Sequence, residues 1–284
     1  MADGETDIRV RGLVKQYQGI RAVDGIDLDV RRGETFALLG PNGAGKTTTV
    51  EILEGYRERD GGEVGVLGHD PQEADRRWRT RIGIVMQESS DIYELTVDEI
   101  VRHFAGYFPA PRDPLEVIEL VGLGEQRRSR TTALSGGQRR RLDVALGLVG
   151  GPELLFLDEP TTGFDPEARR RFWELLRGLK RDGTTILLTT HYLDEAEQLA
   201  DRVAVMSRGR IVALDAPDRL GGRQGASARV GWNEPGDGAR SVETDQPTRL
   251  IAQLAERLGG EVPGLTVVRP TLEDVYLRLI GEQG

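Results

Sequence analysis

The stretch Gly40-Pro41-Asn42-Gly43-Ala44-Gly45-Lys46-Thr47 decides how this chain folds. It follows a continuous apolar run at 35–39, typical of a buried parallel strand, and precedes a helix-compatible stretch at 47–53. Glycines in such a turn let backbone N–H groups converge on phosphate oxygens at a helix start. The pattern predicts a phosphate loop (40–47) in which Lys46 reaches the β and γ phosphates and the Thr47 hydroxyl binds Mg²⁺. The alternative is an ordinary glycine turn.

Length, charge and cysteine content bound the class of protein. The 284 residues suffice for one large domain and a small one. The net charge of -9 argues against a nucleic-acid partner, because such domains usually carry a basic surface. The absence of cysteine excludes disulfides and thiolate metal sites, which fits a reducing compartment.

Two further features bear on location. The most apolar stretch, 144–157, is interrupted by glycines, a proline and a glutamate, and is shorter than the ~20 residues that a membrane-spanning helix needs. The acidic N-terminus, with Asp3, Glu5 and Asp7, has neither the basic start nor the apolar run of a secretory signal. We therefore expect a chain that is not exported and does not cross the membrane.

The alternation of apolar and helical patterns predicts an α/β fold with a mostly parallel sheet covered by helices. Between residues 88 and 135 the strand signal disappears, which predicts an inserted helical subdomain. Residues 221–225, Gly-Gly-Arg-Gln-Gly, are typical of a linker and divide the chain into domains 1–220 and 221–284. In the second domain we expect a strand at 228–232, a loop at 233–245, a helix at 248–258, a strand at 265–268 and a helix at 272–280.

A second chemical motif is the apolar strand 154–157 that ends in Asp158 and Glu159. Carboxylates at the end of a strand lie where nucleotide sites form in open α/β sheets. Asp158 is suited to hold a metal ion, and Glu159 is suited to polarise an attacking water. A solvated acidic turn would be the common alternative for this hexamer alone, but it is disfavoured beside a phosphate loop.

The segment Leu134-Ser135-Gly136-Gly137-Gln138, the signature segment below, forms a second phosphate-binding nest. One nucleotide does not need two nests in one chain, so the segment implies a site completed by another protomer. With this segment the sequence resembles the ABC ATPases, over residue 8 to about 220. A glycine hinge before a helix is the alternative.

The resemblance implies the family fold, in which an antiparallel N-terminal β subdomain and a small α+β C-terminal domain accompany the parallel sheet. It also assigns further site residues by their position in the sequence, and these are Gln87 for metal and catalytic water, Asp165 at the dimer interface, His191 at the γ phosphate, Tyr17 under the adenine, and Thr48 with the phosphate loop. Rings stack on any base, which favours Tyr17. The run Arg139, Arg140 and Arg141 is expected to be a solvated surface.

What the resemblance implies for function is an ATP-hydrolysing subunit that works as a homodimer sandwiching ATP and Mg²⁺. It would bind a separate transmembrane permease on the cytoplasmic face of the membrane, as a peripheral subunit. Residues 269–276 are similar to the tail of ATPases from daunorubicin-resistance-type exporters, which favours export of a drug, antibiotic or lipid. The segment 89–97, with Tyr93 and Leu95, is the candidate docking groove. The alternatives are a soluble ABC ATPase outside transport and a regulatory module that does not hydrolyse ATP.

Overall fold

The computed structural model describes residues 6–85 and 94–281 of the chain. Its strands are β1 Thr6–Tyr17, β2 Ile20–Arg31, β3 Thr35–Leu39, β4 Gly61–Val66, β5 Ile82–Val85, β6 Leu154–Asp158, β7 Thr185–Thr190, β8 Arg202–Ser207, β9 Arg210–Asp215, β10 Ala228–Glu234, β11 Gly238–Thr244 and β12 Thr266–Val268. Its α-helices are α1 Lys46–Leu53, α2 Arg76–Arg79, α3 Val97–Ala105, α4 Pro114–Leu120, α5 Gly136–Leu148, α6 Pro166–Arg181, α7 Leu193–Leu199, α8 Pro247–Leu258 and α9 Leu272–Gly281. The chain divides into two compact units, Met1–Leu214 and Asp215–Gly284, a few residues before the predicted boundary at 220.

A six-stranded sheet forms the centre of the first unit, in the order β5-β6-β7-β3-β8-β9. The neighbours from β5 to β8 pair in parallel. All residues of β3 and β7 are buried, as expected for strands covered by helices on both faces. The predicted α/β fold with a mostly parallel sheet is therefore confirmed.

A three-stranded antiparallel sheet in the order β2-β1-β4 accompanies it. Its apolar side chains share one core with α1 and with β3 of the central sheet. This core includes Val10, Leu28, Val50 and Phe36, which are all nearly inaccessible to solvent. The phosphate loop connects β3 to α1, which begins at Lys46. The shared core therefore holds both ends of the loop. The antiparallel β subdomain expected from the resemblance is present.

Helices occupy the described part of the insertion between β5 and β6. A capping box starts α3, in which Thr96 and Glu99 satisfy each other's backbone N–H groups. A second one starts α5 and uses Ser135 and Gln138. Both helices therefore begin at residues that their sequence patterns specify locally.

The second unit holds the antiparallel sheet β11-β10-β12 with α8 and α9. Its core contains Val230, Trp232, Leu254 and Val262. The loop predicted at 233–245 is wrong in part, because β11 occupies 238–244 and pairs with β10 along its length. Six of its seven residues are exposed, so this edge strand lacks the apolar alternation by which strands are recognised.

The predicted linker is also more ordered than expected. Residues Leu220–Gly225 form 3-10 turns, and Leu220 is fully buried. Gly221 has φ +59°, and a Cβ at this position would lie 2.5 Å from Val275 of α9. Glycine is used here for close packing as well as for its backbone conformation.

Candidate nucleotide site

Strand order brings the predicted motifs together. The neighbours β3, β7 and β6 are parallel, so their carboxyl ends lie at the same edge of the sheet. The phosphate loop follows β3, His191 follows β7, and Asp158 and Glu159 stand at the end of β6. The middle strand therefore places the histidine between the loop and the carboxylates.

The phosphate loop is shaped by two glycines that no larger residue could replace. A Cβ on Gly40 would lie 2.5 Å from the carbonyl oxygen of Met206, and one on Gly45 would lie 2.3 Å from that of Ala22. Gly45 also has φ +101° and forms the N-cap of α1 without a side-chain hydrogen bond. The first N–H groups of a helix have no partner within it, so this uncapped start offers donors to a phosphate.

Lys46 lies under the loop with only 7% of its surface exposed. Its Nζ donates to the carbonyl oxygens of Gly40 at 2.7 Å and Pro41 at 3.2 Å. Burial lowers the pKa of Lys46, and the charges of Glu159 and Asp158 act in the opposite direction. The ammonium is thus held at the loop with two carboxylates nearby.

Thr189 of β7 joins the two carboxylate residues. Its hydroxyl donates to Asp158 Oδ1, and its hydroxyl and carbonyl oxygens each lie 3.1 Å from the backbone N of Glu159. The carboxylate of Glu159 in turn lies 3.2 Å from His191, measured from Oε2 to Nδ1. A proton acceptor and an imidazole therefore face the same cleft.

That cleft has a volume of about 780 Å³, within the usual range for a nucleotide-sized ligand. The residues lining it are Tyr17, Ala22, Asn42, Gly43, Gly45, Lys46, Thr47, Thr48, Glu159 and His191. Two cations lie over the Tyr17 ring: Lys15 Nζ is 5.5 Å and Arg57 Cζ is 5.4 Å from the ring centroid. The cleft thus combines hydrogen-bond donors for a phosphate, an aromatic face and a carboxylate.

Eight of the residues predicted to bind the cofactor do not line this cleft, namely Gly40, Pro41, Ala44, Ser135, Gly136, Gly137, Gln138 and Asp165. Ser135 and Gln138 cap α5, and a Cβ on Gly136 or Gly137 would meet nothing within 4 Å. Packing within the chain therefore does not require glycine there, so this exposed helix start is open to another molecule. Asp165 caps α6 by accepting hydrogen bonds from the N–H groups of Glu167 and Ala168, both at 2.9 Å. The bond from Ala168 makes the largest contribution to lowering the pKa of Asp165, and the bond from Glu167 adds to it.

The predicted Gln87 and Tyr93 lie outside the described residues. Among the residues that are described, no group of three or more histidine and carboxylate side chains could hold a metal ion. Mg²⁺ usually takes one or two carboxylates, waters and substrate phosphates, so Asp158 and Thr47 fit this ion when a nucleotide supplies the remaining oxygens.

The expectation that Arg139, Arg140 and Arg141 form a solvated surface is wrong for Arg140. Its side chain is 7% exposed and donates to the backbone carbonyls of Asp158 and Pro160. The arginine occupies the buried face of α5, which a run of three identical residues does not reveal. Thr189 was missed as well, because a threonine in an apolar strand carries no signal of its own.

Comparison with known proteins identifies the family in which this arrangement of residues occurs. Residues 23–162 match the family described as ABC transporter. The chain is 40% identical to the daunorubicin/doxorubicin resistance ATP-binding protein DrrA of Streptomyces peucetius, an alignment that covers 96% of this chain and 92% of that protein. It is 38% identical to a Nod factor export ATP-binding protein I of Ralstonia nicotianae, with 99% and 96% covered.

Solved structures agree with the fold. CbiO1 of Clostridium perfringens, described as part of the ABC transporter complex cbiONQ, superposes with a TM-score of 0.69 at 29% identity over 76% of this chain and 90% of that one. An ATP-binding subunit of an ABC transporter superposes with a TM-score of 0.71 over 96% of this chain and 98% of that one, at 23% identity. Together with the phosphate loop and the carboxylates at the sheet edge, these similarities show that the chain belongs to the ABC transporter family and is an ATP-binding ATPase of the kind found in drug-resistance exporters.

Proposed function

We propose that the chain hydrolyses MgATP to drive export through a separate membrane subunit, as one half of a homodimer. The observation that carries the proposal is the joint placement of Lys46, Glu159 and His191 around one cleft. A phosphate cradle alone would serve binding, whereas a carboxylate facing the same space supports hydrolysis. This favours an ATPase over a regulatory module that only binds the nucleotide.

In this proposal the residues divide the work of phosphoryl transfer. Lys46 and the uncapped N–H groups of α1 bind the phosphates and stabilise the charge that develops on them. Glu159 accepts a proton from the water that attacks the γ phosphorus, while the bond to the β-phosphate oxygen breaks and ADP leaves. His191 orients this water and the γ phosphate. Asp158, Thr47 and Gln87 would hold Mg²⁺, which would supply positive charge against the phosphates.

The signature segment is proposed to act on the nucleotide of the other protomer. Its place outside the cleft lining and the open space around Gly136 and Gly137 support this assignment. One solved ATP-binding cassette with the same fold is dimeric, in a post-hydrolysis state bound to ADP and Pi. In the proposed homodimer, Asp165 lies at the interface.

Export is the direction that the relatives favour. The two relatives described above are named for daunorubicin/doxorubicin resistance and for Nod factor export, and their similarity extends over almost the whole chain. Among the described residues, none of the helices combines the length and apolar character that a membrane crossing demands. In this proposal a separate permease carries out the transport, and this chain lies at the cytoplasmic face of the membrane as a peripheral subunit. Residues 1–220 would form the ATP-binding domain and 221–284 an accessory domain.

The docking surface for that permease is proposed to include residues 89–97. Of the two residues singled out in this segment, Tyr93 and Leu95, only Leu95 is described, and it is partly buried. A cleft of about 600 Å³ lies in the same unit and is lined by Arg76, Arg77, Tyr107, Phe108 and their neighbours. Arginines beside aromatic rings suit a partner segment that carries carboxylates and apolar side chains.

Two measurements test the proposal together. Purified full-length chain should release phosphate from ATP in the presence of Mg²⁺, and a tagged chain should co-purify from membranes with a protein of several membrane spans. Hydrolysis without any such partner would favour the second candidate, a soluble ABC ATPase. Nucleotide binding without hydrolysis, with or without the partner, would contradict the enzymatic proposal.

A further inference from the structure

Arg140 connects two segments that the proposed mechanism treats separately. It lies on α5 five residues after Ser135, and its side chain enters the protein interior with 7% of its surface exposed. Its Nη2 donates to the carbonyl oxygen of Asp158 at 2.6 Å, and its Nε donates to that of Pro160 at 3.1 Å. These two carbonyls belong to the residues on either side of Glu159.

Glu159 has a backbone conformation that needs such support. Its φ is +45°, in the left-handed region that non-glycine residues rarely adopt. A residue stays there only when its surroundings over-determine it. Thr189 holds the N–H of Glu159 from the side of β7, and Arg140 holds the two flanking carbonyls from the side of α5.

The chemistry of the side chain suits this position. A guanidinium is planar and presents several donors on separate nitrogens in a rigid fork, so it can bond two separated carbonyls at once, whereas the donors of an ammonium all lie on one nitrogen. Burial lowers the pKa of Arg140, and the neighbouring carboxylates of Asp143, Asp158, Glu195 and Glu159 oppose that effect. The surrounding negative charge thus favours the protonated form that makes both bonds.

We propose that Arg140 is a positioning residue that holds the backbone on both sides of Glu159 and so aims its carboxylate at the attacking water. Since α5 also starts at the signature segment, the same helix links the place where the partner's nucleotide would bind to the carboxylate of this chain's own site. The inference rests on the proposed ATPase mechanism and assigns a residue to it.

The test replaces Arg140 by methionine, which keeps an unbranched apolar stem but ends before the guanidinium position and donates no hydrogen bond. In the purified full-length chain, R140M should lower kcat for ATP by about 10- to 100-fold, because small misplacements of reacting groups have effects of this order. The Kd for ATP should stay within about threefold of wild type, since Lys46 and the phosphate loop are untouched. Amide hydrogen exchange at residues 159–162 should become faster. R140K, whose donors all lie on one nitrogen, should give a kcat between those of wild type and R140M.

Arg202 supplies the matched control. It is a partly buried arginine that pairs with Glu34 and donates to the backbone carbonyl of Asp29 at 2.5 Å, and it lies at the start of β8, at the amino ends of the parallel strands. R202M should leave kcat of the folded protein and exchange at 159–162 unchanged. The same losses in R202M and R140M would overturn the proposal, as would kcat within about threefold of wild type in R140M.

Three further outcomes are also decisive. If R140M does not fold, R140K carries the comparison, and a parallel loss of kcat and nucleotide affinity in R140K contradicts a positioning role. If wild-type chain hydrolyses no ATP, the proposed function fails while the exchange measurement still judges Arg140. Unchanged amide exchange at residues 159–162 in R140M would then overturn the positioning role that we infer for Arg140.

Discussion

Glu159 Oε2 lies 3.2 Å from His191 Nδ1, across the ends of the neighbouring strands β6 and β7. The contact joins a carboxylate that is 13% exposed to an imidazole that is 43% exposed, so the pair stands at the mouth of the nucleotide cleft rather than in the core. The first prediction concerns this pair.

Replacing Glu159 by glutamine should leave ATP binding intact and slow hydrolysis by at least ~100-fold, since a positioned proton acceptor contributes about that much. Nucleotide titration and phosphate release, measured on the same preparation, separate the two effects. E167Q, which changes an exposed glutamate at the start of α6, is the control and should keep full activity. Near-wild-type turnover in E159Q would remove Glu159 from its assigned role.

Tyr17 and Arg57 should determine affinity for the base of the nucleotide. Stacking on an aromatic ring is worth ~1–3 kcal/mol, so Y17A should weaken ATP binding about tenfold or more, and Y17F should not. Arg57, which pairs with Glu51 at 2.5 Å and lies over the ring, should have a smaller effect of about two- to fivefold. Titration with inorganic tripolyphosphate provides the control, because this ligand has no base. Equal losses for both ligands would contradict an adenine platform.

A mixed dimer tests whether the signature segment acts on the partner's nucleotide. One protomer carries K46A and the other carries G137D, and two different tags allow their joint purification. If sites form between protomers, one composite site receives both defects and the other stays intact, so part of the ATPase activity survives.

The converse dimer pairs wild type with a chain that carries both substitutions. Here composite sites are each damaged once, whereas sites built within one chain leave one site whole. Higher activity in this second dimer would show that Gly137 serves its own chain and would contradict the proposed arrangement. Comparing the two dimers also controls for cooperativity between sites.

Substituting Tyr93 and Leu95 by aspartate should weaken docking to the membrane subunit while nucleotide affinity stays within about twofold. Two charges in place of apolar side chains oppose burial against a partner. Pull-down of the membrane subunit and ATP titration are measured on the same protein. Loss of both properties together would indicate misfolding and leave no support for a docking role.

Glu54 should make stability depend on pH. Burial raises the pKa of its carboxyl from 4.5 to about 8, and the charges of Asp158 and Glu51 add to this effect. For a raised pKa the stabilisation is complete below about pH 4.5 and is lost as pH rises through about 8. E54Q does not titrate, so it should gain on the order of 1–3 kcal/mol over wild type between pH 5 and pH 9 in urea unfolding. E58Q, at an exposed position, should show no such gain.

Some of the site could be read directly from the sequence. The phosphate loop and the carboxylates after β6 are recognisable because the residues that act together are adjacent in the chain, and their type and spacing carry the chemistry. The capping boxes at Ser135 and Thr96 are local in the same sense. The parallel sheet and the helical insertion follow from patterns that repeat within each element.

Tertiary structure alone decided the rest. The approach of Glu159 to His191, the burial of Arg140 and the bond from Thr189 to Asp158 all join segments far apart in the chain. The exposed edge strand β11 was missed for a related reason, because only its pairing with β10 makes it a strand. Local spacing determines which groups a segment offers, whereas strand order and packing determine which groups meet. The sequence by itself therefore specified the phosphate loop and the carboxylates, and the order β6-β7-β3 assembled them into a site.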